Sequence, residues 1–129
     1  MGAKESIAFP NPDVRNLSLS GSGDWETEIQ RRVVFVIHSR ANWARCRTVI
    51  ESTKRPHVVV CSSALIDAYG DVSREIPLRV TKIHTQVDPR DITSMAKTAG
   101  LATVELATYF ASVKPDIVVT VADRYETIS

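Results

Sequence analysis

With 129 residues the chain is long enough for one domain with a real core, and its apolar share of 43% and charged share of 24% are those of an ordinary soluble protein. A formal net charge of +1 gives no general attraction to nucleic acid or to an acidic membrane. No apolar run reaches the roughly 20 residues of a membrane helix, and the N-terminus lacks the apolar core of a signal peptide. A cytoplasmic location is expected, with neither nucleic acid nor membrane as a partner.

Residues 1–29 show no sustained periodicity and hold Pro10, Pro12 and the stretch SLSGSGD. They are expected to form a mobile leader, with Trp25 and Ile29 docking at its end. The domain proper is assigned to residues 30–129. Its first element is RVVFVI, a continuous β-branched and aromatic run of the kind that lies in a parallel sheet covered on both faces. ANWARCRTVIES follows, with Trp43, Cys46, Val49 and Ile50 at helical spacing. HVVVC is a second buried strand. SSALIDAYGD begins like a short helix after a serine cap, with Gly70 placed to end it. LRVTKIH, with Arg79 and Lys82 interleaved, suits an edge strand.

The clearest helix is expected from about Pro89 to Val113. Ile92, Met95, Ala96, Ala99, Ala102, Leu106, Tyr109, Phe110 and Val113 make one apolar stripe, and Asp88 or Asp91 suits its N-terminal dipole. Gly100 inside it weakens the helix or permits a close neighbour. Pro115 breaks it, and DIVVTV is the last strand. The two cysteines, Cys46 and Cys61, are too few for a disulfide framework or a zinc site and read as buried thiols. The fold class is therefore α/β: a Rossmann-like parallel sheet in the order 3-2-1-4, with helices on both faces.

Ligands of such a sheet bind beyond the carboxyl ends of the strands, where the strand order reverses. Here that point lies between the first and fourth strands. The residues after the first strand include His38, Ser39, Arg40 and Asn42; those after the fourth include Asp123 and Arg124. Arg40, Asp123 and Arg124 should converge on one crevice, with Ser39 and Asn42 beside them as further binding candidates. The first loop opens a helix, whose free N–H groups and positive end favour an anion. Arg40 adds a donor fork matched to phosphate oxygens. Asp123 also reads as a helix cap, and the basic residues around Arg45 and Arg47 as a solvated helix face. HSRANW has no glycine, so neither a dinucleotide fingerprint nor a Walker loop is present.

VVFVIHSRANW, SSALIDAYGD and MAKTAGLATVELATYFASVKPDIVVTVADRYE together resemble the N-terminal part of UDP-N-acetylglucosamine 2-epimerases, and more closely the hydrolysing, sialic-acid-pathway branch. The resemblance runs from about Arg32 to Ser129. It implies a glycosyltransferase-B fold, in which two Rossmann-like domains enclose a nucleotide sugar. The chain would then be a truncated first part of the N-terminal domain. It implies elimination of UDP from UDP-N-acetylglucosamine to a glycal, then hydration to N-acetylmannosamine, with a UDP-sugar as substrate and no cofactor or metal. A second copy of the chain in a homo-oligomer is an admissible partner. Arg40 matches an arginine on the diphosphate side of the ligand, Asp123 an acid of acid–base catalysis, and Arg124 a neighbour of the nucleotide phosphates. The sequence departs from the family at Val121 and Ala122, where His-Gly is usual, at Ala64, where a histidine is usual, and at Asn42, where an acid is usual. Those departures suggest an alternative: a degenerate nucleotide-sugar-binding or assembly module.

Overall fold

The computed structural model describes residues 31–122 and 124–128. The expected leader and the expected docking of Trp25 and Ile29 lie outside the described residues, as does Asp123. Four parallel strands, β1 (Val33–Ile37), β2 (His57–Cys61), β3 (Val80–Ile83) and β4 (Ile117–Val119), form one sheet in the order β3-β2-β1-β4. The two helices are α1 (Arg40–Ser52) and α2 (Ile92–Val113). The fold is thus the expected α/β, Rossmann-like arrangement.

Period-two alternation divides the core. Phe35 and Ile37 of β1, with Val58 and Val60 of β2, meet Trp43, Cys46 and Ile50 of α1 on one face. Val34, Val36, Val59 and Cys61 meet Ala102 and Leu106 of α2 on the other. Every one of these side chains is buried, which explains the unbroken apolar runs of the central strands.

Some local expectations are corrected. Val49, assigned to the buried stripe of α1, points outward and is 53% exposed. The α2 helix begins at Ile92, three residues after Pro89, because the Asp91 carboxylate accepts from the N–H of Ser94 and caps it. Ile92 itself is 87% exposed, since the covered side of the first turns is that of Ser94 and Thr98, which are buried in line with Ala102 and Leu106. A Cβ at Gly100 would meet nothing within 4 Å, so no neighbour approaches there. β4 is a three-residue edge strand with Ile117 and Val118 partly exposed, because α2 packs over β1 and β2.

The segment after β2 is not an α-helix. It is a chain of three single 3-10 turns, Ser62–Leu65, Asp67–Tyr69 and Val72–Arg74. Two anchors stop the helix from propagating. The carbonyl of His38 accepts from the N–H of Ala64 at 3.0 Å and from the Ser63 hydroxyl at 2.9 Å, tying the first turn to β1. Gly70, at φ +71, ends the second turn, as its position in the sequence suggested. Asp71 then restarts the chain by accepting from the N–H of Ser73.

Candidate functional site

The carboxyl ends of the strands carry the polar residues of interest. Directly after β1, Ser39 caps α1, its Oγ accepting from the N–H of Asn42 at 3.2 Å. Asn42 returns the contact: its Oδ1 accepts from the N–H of His38 at 3.2 Å. The pair satisfies backbone donors at the strand-to-helix turn. Asn42 is wholly buried, so its side chain is part of the turn and not of the wall a ligand would meet.

Arg40 crosses from α1 to the second loop. Its Nη1 lies 2.6 Å from Oε1 of Glu75, and its Nη2 donates to the carbonyl oxygens of Gly70 at 3.1 Å and Tyr69 at 3.3 Å. A Cβ at position 70 would stand 2.6 Å from Nη2 and displace the end of Arg40, and the φ of +71 there itself favours glycine. After β4, Arg124 makes a two-pronged pair with Glu126, Nε and Nη2 each 3.0 Å from a carboxylate oxygen. Glu126 has no exposed surface. Arg90, from the loop before α2, lies over the Tyr69 ring at 4.7 Å, a cation–π contact.

These residues share one cleft of about 330 Å³, with Ser39, Arg40, Ser63, Tyr69, Arg90 and Arg124 on its wall. Among the described residues, every charged side chain on that wall is an arginine. The expected convergence of Arg40 and Arg124 beside Ser39 is therefore met in space. Arg90 was missed, although its place ahead of α2 puts it at the same pole: every strand-to-helix loop of a parallel sheet lies at that end. A wider hollow of about 430 Å³, lined in part by Arg55, His57, Arg79 and Tyr109, sits at the opposite pole. It faces the amino ends of β2 and β3, away from the switch point.

Behind the cleft lies a buried polar cluster. His38 is 2% exposed; its Nδ1 is 3.2 Å from Sγ of Cys61 and 3.4 Å from Oγ of Ser62, which in turn contacts the Thr85 hydroxyl at 3.0 Å. His38, placed by the sequence directly after the first strand, is therefore buried and does not reach the cleft wall. Burial lowers its pKa below the ordinary value near 6.5; Glu126 partly offsets this and Arg124 adds to it. Burial pushes the Cys61 thiol up to about 12, so it is a protonated thiol and no nucleophile. Among the described residues no group of His, Cys, Asp and Glu could hold a metal ion. No described helix is long and apolar enough to cross a membrane.

The buried imidazole makes stability depend on pH. The unfolded chain takes up a proton near pH 6.5, whereas the folded chain takes it up only at lower pH. The unfolded state therefore binds more protons in that window, and stability falls as pH falls below about 6.5 until the folded group titrates. Urea midpoints from pH 7.5 down to pH 5 should decline in the parent chain and decline less in His38→Gln. Parallel curves would remove His38 as the cause.

A parallel sheet in this order, with helices on both faces and a polar cleft at its switch point, belongs to the Rossmann-like α/β class. No family model matches the chain.

Proposed function

We propose that the arginine-walled cleft binds the diphosphate of a UDP-sugar, and that the chain serves a protein of the UDP-N-acetylglucosamine 2-epimerase kind with a glycosyltransferase-B fold. The observation that carries this reading is the meeting of Arg40, Arg90 and Arg124 at the amino end of α1. Guanidinium forks and the positive end of a helix suit phosphate oxygens. The proposed reaction removes the proton at C2 of the sugar, breaks the C1–O bond to UDP and leaves a glycal, to which water then adds. Positive charge at the cleft would stabilise departing UDP. Asp123, between Ala122 and Arg124 in sequence, is the proposed proton-transfer group.

A second reading, nucleotide-sugar binding without turnover, has its own support. Ala64 is 1% exposed and packs in the α1-side core, and Val121 packs against the same cluster. At the two positions where the resembling family usually has histidines, this chain has apolar packing. In a protein completed by a second Rossmann-like domain, UDP binding without release of UDP from UDP-N-acetylglucosamine would favour that reading.

The test of the site itself is calorimetric titration of UDP. A well-formed charge-assisted bond contributes roughly 1.5–3 kcal/mol. Arg40→Ala should weaken binding by about tenfold to a hundredfold, and Arg40→Lys should recover only part of the loss. Arg45→Ala and Arg47→Ala should change affinity little, because Arg47 pairs with Glu51 and both side chains lie on the exposed face of α1. Equal losses at all three positions would mean a diffuse basic surface. No loss at Arg40 would remove the main support of the reading.

A further inference from the structure

We propose that Glu75 is a displaceable internal anion that occupies the phosphate-facing edge of Arg40 until a ligand replaces it, so that Glu75 sets the affinity of the cleft. This rests on the phosphate reading above.

The two edges of the Arg40 fork have different partners. Nη2 is held by the carbonyl oxygens of Tyr69 and Gly70, which are backbone atoms of a glycine-pinned turn. That edge fixes where the guanidinium sits. Nη1 faces a carboxylate oxygen of Glu75 at 2.6 Å. A carboxylate oxygen and a phosphate oxygen satisfy the same N–H in the same way. One can therefore take the place of the other without moving the fork.

Glu75 is suited to leave. Its side chain is 44% exposed, so a released carboxylate regains water at once. Its backbone closes the third 3-10 turn, which Asp71 holds independently through Ser73 and Lys82. The contrast with Arg124 is physical: its partner Glu126 has no exposed surface and would have to enter water from the interior. A third cleft arginine, Arg90, has Asp88 at 3.7 Å, but of the two carboxylates that hold Arg40 and Arg124 within 3.0 Å, Glu75 is the one that yields cheaply.

The size of the effect is bounded by exposure. An exposed pair of this kind holds a competitor off by no more than about fivefold. Calorimetry with inorganic pyrophosphate and with UDP is the test, on the parent chain, Glu75→Gln, Asp67→Asn, Arg40→Ala and the double variant Arg40→Ala/Glu75→Gln. Glu75→Gln keeps the shape and removes the charge; it should tighten both ligands about threefold to fivefold. Asp67→Asn removes a charge from the same loop, where it pairs with Arg74 rather than Arg40, and should change affinity less than twofold. In the Arg40→Ala background, Glu75→Gln should have no effect. In the parent chain the carboxyl carbon resonance of Glu75 should shift when pyrophosphate is added.

Equal tightening by Asp67→Asn would reduce the effect to general charge and overturn the proposal. So would tightening by Glu75→Gln that survives the loss of Arg40. If Arg40→Ala weakens binding but Glu75→Gln does not tighten it, the phosphate site stands and Glu75 is only a structural partner. If Arg40→Ala binds like the parent chain, the phosphate reading itself fails and the proposal falls with it.

Discussion

Arg124→Ala is expected to lower the unfolding free energy by about 3 kcal/mol, well beyond the usual cost of losing a surface charge. The reason is the partner left behind. Glu126 has no exposed surface, and Arg124 supplies two of its contacts at 3.0 Å each. Truncating the arginine takes two charge-assisted contacts from a buried carboxylate, and breaking such a pair costs far more than the pair contributes. Arg124 itself is 38% exposed, which keeps the effect at the lower end of the range for buried pairs. Urea unfolding measures it. Adding Glu126→Gln to Arg124→Ala should recover part of the loss, because the amide removes a buried charge that has lost its arginine. A loss below about 1 kcal/mol in the single variant would show that the remaining contacts of Glu126 suffice. The same variant should also weaken UDP binding, so affinity is to be compared only under conditions where the chain is folded.

Leu106→Ala should cost about 2–5 kcal/mol, whereas Ile92→Ala should cost less than about 0.5 kcal/mol. Both residues belong to the one apolar stripe that the periodicity of α2 defines. Leu106 is 4% exposed and packs with Ala102 on Val34, Val36, Val59 and Cys61, so its truncation opens a cavity under the middle of the sheet. Ile92 is 87% exposed and loses no packing. Denaturant midpoints of the two variants, measured side by side, check the difference. Comparable losses would mean that the first turn of α2 is covered by something beyond the described residues.

The pair also marks how far periodicity can be trusted. A helical stripe says which residues share a face; it does not say which edge of that face is covered, and the first turns of α2 bury Ser94 and Thr98 in place of Ile92. The same limit appears in α1, where Val49 shares the spacing of Ile50 but is 53% exposed. It appears again in SSALIDAYGD, where a serine and a terminal glycine suggested a helix. The carbonyl of His38, just after β1, captured Ala64 and Ser63 and left only 3-10 turns. Local preference was overruled by a contact across 25 residues.

By itself the sequence determined the class of the fold. The unbroken runs RVVFVI and HVVVC call for central strands covered on both faces, the more polar LRVTKIH for an edge, and alternation with helices for parallel strands, while DIVVTV, equally apolar, forms the other, partly exposed edge. Those requirements lead to the order β3-β2-β1-β4 that is observed, and so to the pole where Ser39, Arg40 and Arg124 meet. Tertiary structure alone decided what each charge does there. It brought Arg90 onto Tyr69, gave Arg40 to Glu75, buried Glu126 against Arg124 and sent Asn42 inward to hold the turn. The physical reason is range. Hydrophobic periodicity is written in neighbouring residues and is summed over many of them, so it survives errors at single positions. An ion pair between Arg40 and Glu75 depends on where two distant loops come to rest, and nothing in the spacing of either loop specifies the other.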